Sequence, residues 1–164
     1  MKQLTVVAAS LVILSACGKQ DAVPPAPTSS TTGGRPDKMP NGEPGVITLK
    51  HVLIAFKGTG IEKVTRSREE AEKLAYDIVS RAKSGEDFDK LMKDYSDDSP
   101  EGGTYTMVND GLQPSENEYA RSGPRGMVKA FGDVGFRISV GEVGVAEHHA
   151  TDSPYGWHII KRTK

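Results

Sequence analysis

The stretch Val46-Ile47-Thr48-Leu49-Lys50-His51-Val52-Leu53-Ile54-Ala55-Phe56 decides the fold. It is rich in β-branched residues and bounded by glycines, so it reads as a strand between turns. With a period of two, Ile47, Leu49, His51, Leu53 and Ala55 share one face, which sets a histidine in an otherwise apolar row. Beyond it, Ser67 and Glu70 form a capping box, and Ala71, Leu74, Ala75, Ile78, Val79 and Ala82 follow at helical spacing until Gly85. Ser84 is placed to cap a second helix, in which Phe88, Leu91, Met92 and Tyr95 recur at i, i+3, i+4 and i+7. Residues 96–125 are rich in Gly, Ser, Pro, Asp and Asn and read as loop, with a short strand over Thr104 to Val108. Met127, Ala130, Phe131 and Val134 predict one short helix. Two strands, Gly141 to His149 and Trp157 to Arg162, close the chain around the turn Ser153-Pro154-Tyr155-Gly156. This order predicts an α+β domain in which helices cover a small, mainly antiparallel sheet.

The chain N-terminal to Val46 has a different character. Six of the ten prolines lie between Pro24 and Pro44, interleaved with a Ser/Thr run and Gly33-Gly34. Such a segment buries too little apolar surface to offset its ordering entropy, and residues 17–45 are expected to form a solvated tether. Before it, Lys2 leads an apolar run to Leu14 that is too short for a permanent span, and small residues close it, as in a signal peptide over residues 1–16. Leu14-Ser15-Ala16-Cys17 resembles the bacterial lipobox, which makes Cys17 a lipidation site. Gly18, where Asp would mark inner-membrane retention, favours the periplasmic side of the outer membrane. The folded domain is then residues 46–164.

Charge excludes some functions. Lys plus Arg number 21 and Asp plus Glu 22 in 164 residues, a net charge of -1, so there is no bulk electrostatic drive toward nucleic acid, and none is expected as a partner. One cysteine forbids an intramolecular disulfide and a thiolate zinc site. His148-His149 is no metal pair, because adjacent strand residues face opposite ways. Ser, His and Asp are present without a nucleophile elbow, which sets aside a hydrolase.

Six short segments, in order, resemble the parvulin-type peptidyl-prolyl cis/trans isomerases: His51-Val52-Leu53-Ile54, Tyr95-Ser96-Asp97-Asp98-Ser99, Gly102-Gly103, Gly126 to Phe131, Val140-Gly141-Glu142-Val143, and Gly156-Trp157-His158-Ile159-Ile160. The resemblance runs from about Thr48 to Arg162 and implies a parvulin-like sheet of four strands. It departs at Thr104-Tyr105-Thr106, where the family usually has Asp-Leu-Gly, and the stretch from there to Met127 is longer than usual.

The resemblance also implies a site. His51 and His158 would sit on neighbouring strands joined by hydrogen bonding. Asp98 matches the family's Asp or Cys that orients the first histidine, and Ser153 the Thr or Ser that bonds the second. Met127 and Phe131 would cup the proline, with Tyr105 as a third wall. Read singly, each of these residues fits a core or turn position equally well. Isomerisation makes and breaks no bond to the substrate, so no cofactor or metal is expected. The loop after the first strand carries only Lys57 and Lys63, with Glu62 between and Arg66 and Arg68 beyond. That is too sparse for a phosphate clamp, and unphosphorylated proline-containing polypeptides are the expected substrates. The reading is a lipid-tethered prolyl isomerase that assists the folding of exported envelope proteins. The alternative is a non-catalytic parvulin-fold chaperone or peptide-binding module, motivated by Tyr105 and the enlarged loop.

Overall fold

In the computed structural model, which describes residues 34–98 and 103–164, the deciding stretch forms β1 (Val46–Ile54) at the centre of a five-stranded sheet. The signal sequence, Cys17 and tether residues 18–33 lie outside the described residues. In chain order β1 is followed by α1 (Arg68–Lys83), α2 (Phe88–Tyr95), β2 (Thr104–Val108), β3 (Tyr119–Ala120), α3 (Lys129–Arg137), β4 (Val143–Ala146) and β5 (Trp157–Arg162). The sheet order is β3-β2-β1-β5-β4, antiparallel throughout except for β2 and β3, which run parallel. The α+β class stands as expected, but the strand count is five. The additional strand is two residues long and pairs Met107 with Tyr119 and Val108 with Ala120, too short to leave a period in the sequence.

The alternation of β1 sorts the core into two layers. Val52 and Ile54 face α1 and α2, packing with Ala75, Ile78, Leu91 and Ile159. Ile47 and Leu49 face the other way and pack with Met107, Phe131, Val134 and Ile160 beneath α3. Helix α3 approaches closely because two of its buried residues are glycines. A Cβ on Gly132 would meet the Arg121 carbonyl oxygen at 2.5 Å, and one on Gly135 would meet Leu49 Cδ2 at 2.7 Å.

Helix α1 starts on the expected box: Ser67 Oγ accepts from Glu70 N and Glu70 Oε2 accepts from Ser67 N. The cap expected for α2 is displaced. Ser84 closes α1, donating its hydroxyl to the Ser80 carbonyl, and Asp87 accepts from Asp89 N and Lys90 N instead. Both residues can cap, and the turn at Gly85 leaves Asp87 at the right place.

The proline-rich segment also ends earlier than its composition suggests. Residues 34–45 pack on the domain through polar contacts. Gly45 N donates to Asp37 O, Asn109 Nδ2 donates to Glu43 and to the Pro44 carbonyl, and Arg121 pairs with Glu43 at 2.6 Å. Hydrogen bonds and an ion pair hold this segment where apolar burial could not, so the described domain begins at Gly34.

Candidate active site

His51 and His158 meet because of register. His51 lies opposite Ile160 and Leu53 opposite His158, so the two histidines are diagonal neighbours on the α3 face. His51 is 1% exposed, and its Nδ1 lies 3.3 Å from His158 Nδ1, with the rings stacked 13° from parallel.

Asp98 is brought to this pair by the segment after α2, which is laced along the end of β1. Leu53 N donates to Ser96 Oγ, Asp97 N donates to Leu53 O, and Ala55 N donates to Asp97 Oδ2. Arg66 bridges Asp97 and the Ala55 carbonyl, which fixes the segment from the other side. Asp98 Oδ2 then lies 2.9 Å from His51 Nε2 and accepts from Tyr105 Oη at 3.0 Å. Tyr105 reaches it from β2, where it lies opposite Leu49. Burial and the Asp98 carboxylate push the Tyr105 phenol well above its ordinary range, so it stays a donor.

The network orders its protons. An ionised Asp98 only accepts, so the His51 tautomer that fits it donates from Nε2 and can accept at Nδ1 from His158 Nδ1–H. His158 Nε2 is then a lone pair, buried without a hydrogen-bond partner among the described residues. Burial, with the His51 ring beside it, pushes His158 down to about 3, so it is neutral near pH 7.

Two expected residues stand elsewhere. Ser153 is fully buried, but its hydroxyl donates to the Gly156 carbonyl at 2.9 Å and makes no bond to His158. It closes the turn that leads into β5, a local bond that a four-residue turn offers more readily than the cross-strand one. Phe131 has no exposed surface. It supports the histidines from below, its ring edge-on to His51 at 5.1 Å and to His158 at 5.4 Å, and it does not wall the cleft.

The cleft above them has a volume of about 350 Å³ and is walled by both histidines, Met127, Leu53, Ile61 and Tyr155. Met127, expected to cup the proline, lines this cleft. Tyr105 walls an adjoining cavity and supports this one from behind, through its hydrogen bond to Asp98 and its ring against His51. Ile61 and Tyr155 were not legible as site residues: both sit in loops, and Tyr155 carries only the signal of an aromatic residue in a turn, where it is 45% exposed. Among the described residues no group of three or more His, Cys, Asp or Glu side chains converges as metal ligands would. The arrangement can seat a small apolar ring against buried, hydrogen-bonded imidazoles.

Fold and site together define a small α+β domain of the parvulin kind. The chain belongs to the family of PPIC-type peptidyl-prolyl isomerase domains, whose model matches residues 37–164. It is 38% identical over 92 residues to a foldase protein PrsA of Geobacillus sp. (strain WCH70), covering 56% of this chain and 28% of that protein. It is 33% identical over 113 residues to a chaperone SurA of Chromohalobacter salexigens, covering 69% of this chain and 21% of that protein. The chain thus spans about a quarter of the length of these curated relatives. In fold it resembles the peptidyl-prolyl isomerase ESS1 from Candida albicans (TM-score 0.52, 23% identity, 74% of this chain and 67% of that one). The solution structure of TbPIN1 is also similar (TM-score 0.53, 20% identity, 73% of this chain and 98% of that one).

Proposed function

We propose that the chain is a peptidyl-prolyl cis/trans isomerase acting on unfolded or newly exported polypeptides, held to the bacterial envelope by lipid on Cys17. The observation that carries the reading is the unbroken line Tyr105, Asp98, His51, His158 against an apolar cleft, in a domain of this family. Rotation about the amide faces a barrier of about 18–20 kcal/mol because the planar forms are stabilised by resonance, and X-Pro bonds interconvert over tens of seconds or longer. Resonance also places charge on the carbonyl oxygen, which water stabilises. A cleft that holds the proline ring and strips that water favours the twisted amide over both planar forms. Met127, Leu53 and Ile61 supply the apolar walls. Asp98 and Tyr105 hold His51 in one tautomer, so the imidazoles line the cleft as fixed dipoles.

The sparse basic residues support unphosphorylated substrates. Arg66 is committed to Asp97 and the Ala55 carbonyl, and Arg68 begins α1, so the first loop itself offers only Lys57 and Lys63 and no guanidinium fork of its own to grip phosphate. The envelope reading draws on the lipobox at Cys17 and on relatives described as a foldase and a chaperone. Cys17→Ser is expected to abolish lipid labelling in cells; labelling that persists refutes the anchor.

A protease-coupled assay on a proline peptide tests the activity: the cis-to-trans phase is expected to quicken in proportion to protein concentration. A second reading, a peptide-binding module without catalysis, is favoured by Phe131, which is sealed from the cleft. No acceleration above the thermal rate, with peptide binding retained, would establish that reading.

A further inference from the structure

Residues 109–126, part of the stretch 104–126 expected from the resemblance to be longer than usual, are pinned by their own hydrogen bonds. Arg121 N donates to Val108 O at 2.9 Å, Ala120 N to Arg125 O at 3.0 Å and Met127 N to Ala120 O at 3.3 Å. Ser115 donates both its backbone N–H and its hydroxyl to Glu118, which Arg35 also grips. The loop so fixed walls a second cavity of about 690 Å³. Gly126 and Met127 border both this cavity and the histidine cleft, so the two adjoin. Neighbouring residues of a polypeptide lie only 3.8 Å apart, so a chain with its proline beside Met127 can place an adjacent side chain at this second opening.

The lining has a definite chemistry. The rings of Tyr105 and Tyr119 meet edge to face at 5.3 Å, and Tyr119 stays 43% exposed, one of four large apolar side chains so exposed among the described residues. Of the two carboxylates present, Glu118 is saturated by Arg35 and Ser115. Glu116 has no hydrogen-bond or ion-pair partner among the described residues. The lining's own base, Arg125, is turned to the Ser115 carbonyl at 3.1 Å. An open tyrosine ring and an uncommitted carboxylate lining one cavity match the pair the protein gives its own Arg81. That guanidinium bonds Glu86 at 2.7 and 2.8 Å and sits 4.8 Å over the Tyr95 ring.

Resting on the isomerase reading above, we infer that the second cavity is a substrate subsite that takes a Lys or Arg side chain adjacent to the isomerised proline. The cation lies against the exposed face of Tyr119 with its head at Glu116. Specificity for a basic neighbour thus comes from the loop that sets this chain apart, and turnover from the histidine cleft.

The test uses the full chain and peptides that place Lys, Ala, Glu or Phe immediately before or immediately after proline, at low salt. In one of the two positions Lys is expected to raise kcat/KM about fivefold over Ala, the scale of a cation held by an exposed ring and one carboxylate. Glu116→Gln, an exposed substitution, brings that ratio to about one, and Glu116→Lys turns the preference toward Glu. Equal rates for Lys and Ala at both positions overturn the proposal. So does a preference for Phe, which marks an apolar subsite, or for Glu, which hands the cavity to Arg125. Should no peptide be accelerated, the isomerase reading fails by itself. The same Lys-to-Ala ratio, read as affinity by fluorescence anisotropy, then decides the subsite.

Discussion

At His158 the cost of a proton is set by burial, and stability should record it. Its folded value, about 3, lies below the ordinary 6.5, so between those values the unfolded chain binds the proton that the native state refuses. The contribution is complete above about pH 6.5 and is lost as the pH falls toward 3. Urea midpoints are expected to drop from pH 7 to pH 4.5, and His158→Leu should flatten that drop; an equal drop in both proteins would mean that other groups govern it. Tyr105 invites a gentler change. Tyr105→Phe keeps the ring against His51 and removes only the hydrogen bond to Asp98, so kcat/KM should fall by about tenfold to a hundredfold, the scale of one charge-assisted hydrogen bond. A far-UV spectrum unchanged from the parent separates this loss from misfolding. Phe131→Ala acts on folding first: a buried ring gives way to a hole beneath both histidines, expected to cost about 3–5 kcal/mol by denaturant titration. How much of the site can be read in the chain depends on which residues period and register govern. His51 falls on the α3 face by alternation alone, and His158 follows from the strand that pairs with it. Ser153 and Phe131 do not, because the direction of a hydroxyl and the depth of a ring depend on the turn and the helix packed around them.

Among the elements, α3 shows a conflict between propensity and packing. Glycine to alanine in an exposed helix interior would gain about 1 kcal/mol. At Gly132 the new methyl meets the Arg121 backbone carbonyl at 2.5 Å, a neighbour that cannot turn aside. Gly132→Ala should therefore lower stability by about 1–3 kcal/mol, with the opposite sign from the propensity scale. A midpoint unchanged or raised would show that the loop carrying Arg121 yields. The elements differ in legibility for the same kind of reason. Helix α1 declares itself through Ser67, Glu70 and a clean apolar stripe, all local. The start of α2 offers two good caps three residues apart, Ser84 and Asp87, and only the turn at Gly85 decides between them. Strand β3 has two residues, and its pairing is set by β2 across the loop, so no window of sequence around Tyr119 carries it.

Over the whole molecule, the proline-rich composition of residues 34–45 hides their place in the domain. Their contacts are polar and their partners, Asn109, Glu118 and Arg121, lie in the loop more than sixty residues onward, beyond the reach of any local pattern. A chain beginning at residue 46 is expected to melt several degrees below one beginning at residue 34, since about 1–2 kcal/mol of ion pairing and hydrogen bonding goes with the segment. Equal melting temperatures would reduce the segment to decoration. The Arg35 clamp on Glu118 and the Gln113 carbonyl has a mechanical side as well. Tension on the backbone at residue 34 meets this clamp before it can strain the ladder between β1 and β5. The first part of the domain to feel a pull is thus the wall of the second cavity, a lever arm whose yielding would open that wall and leave the histidines unmoved.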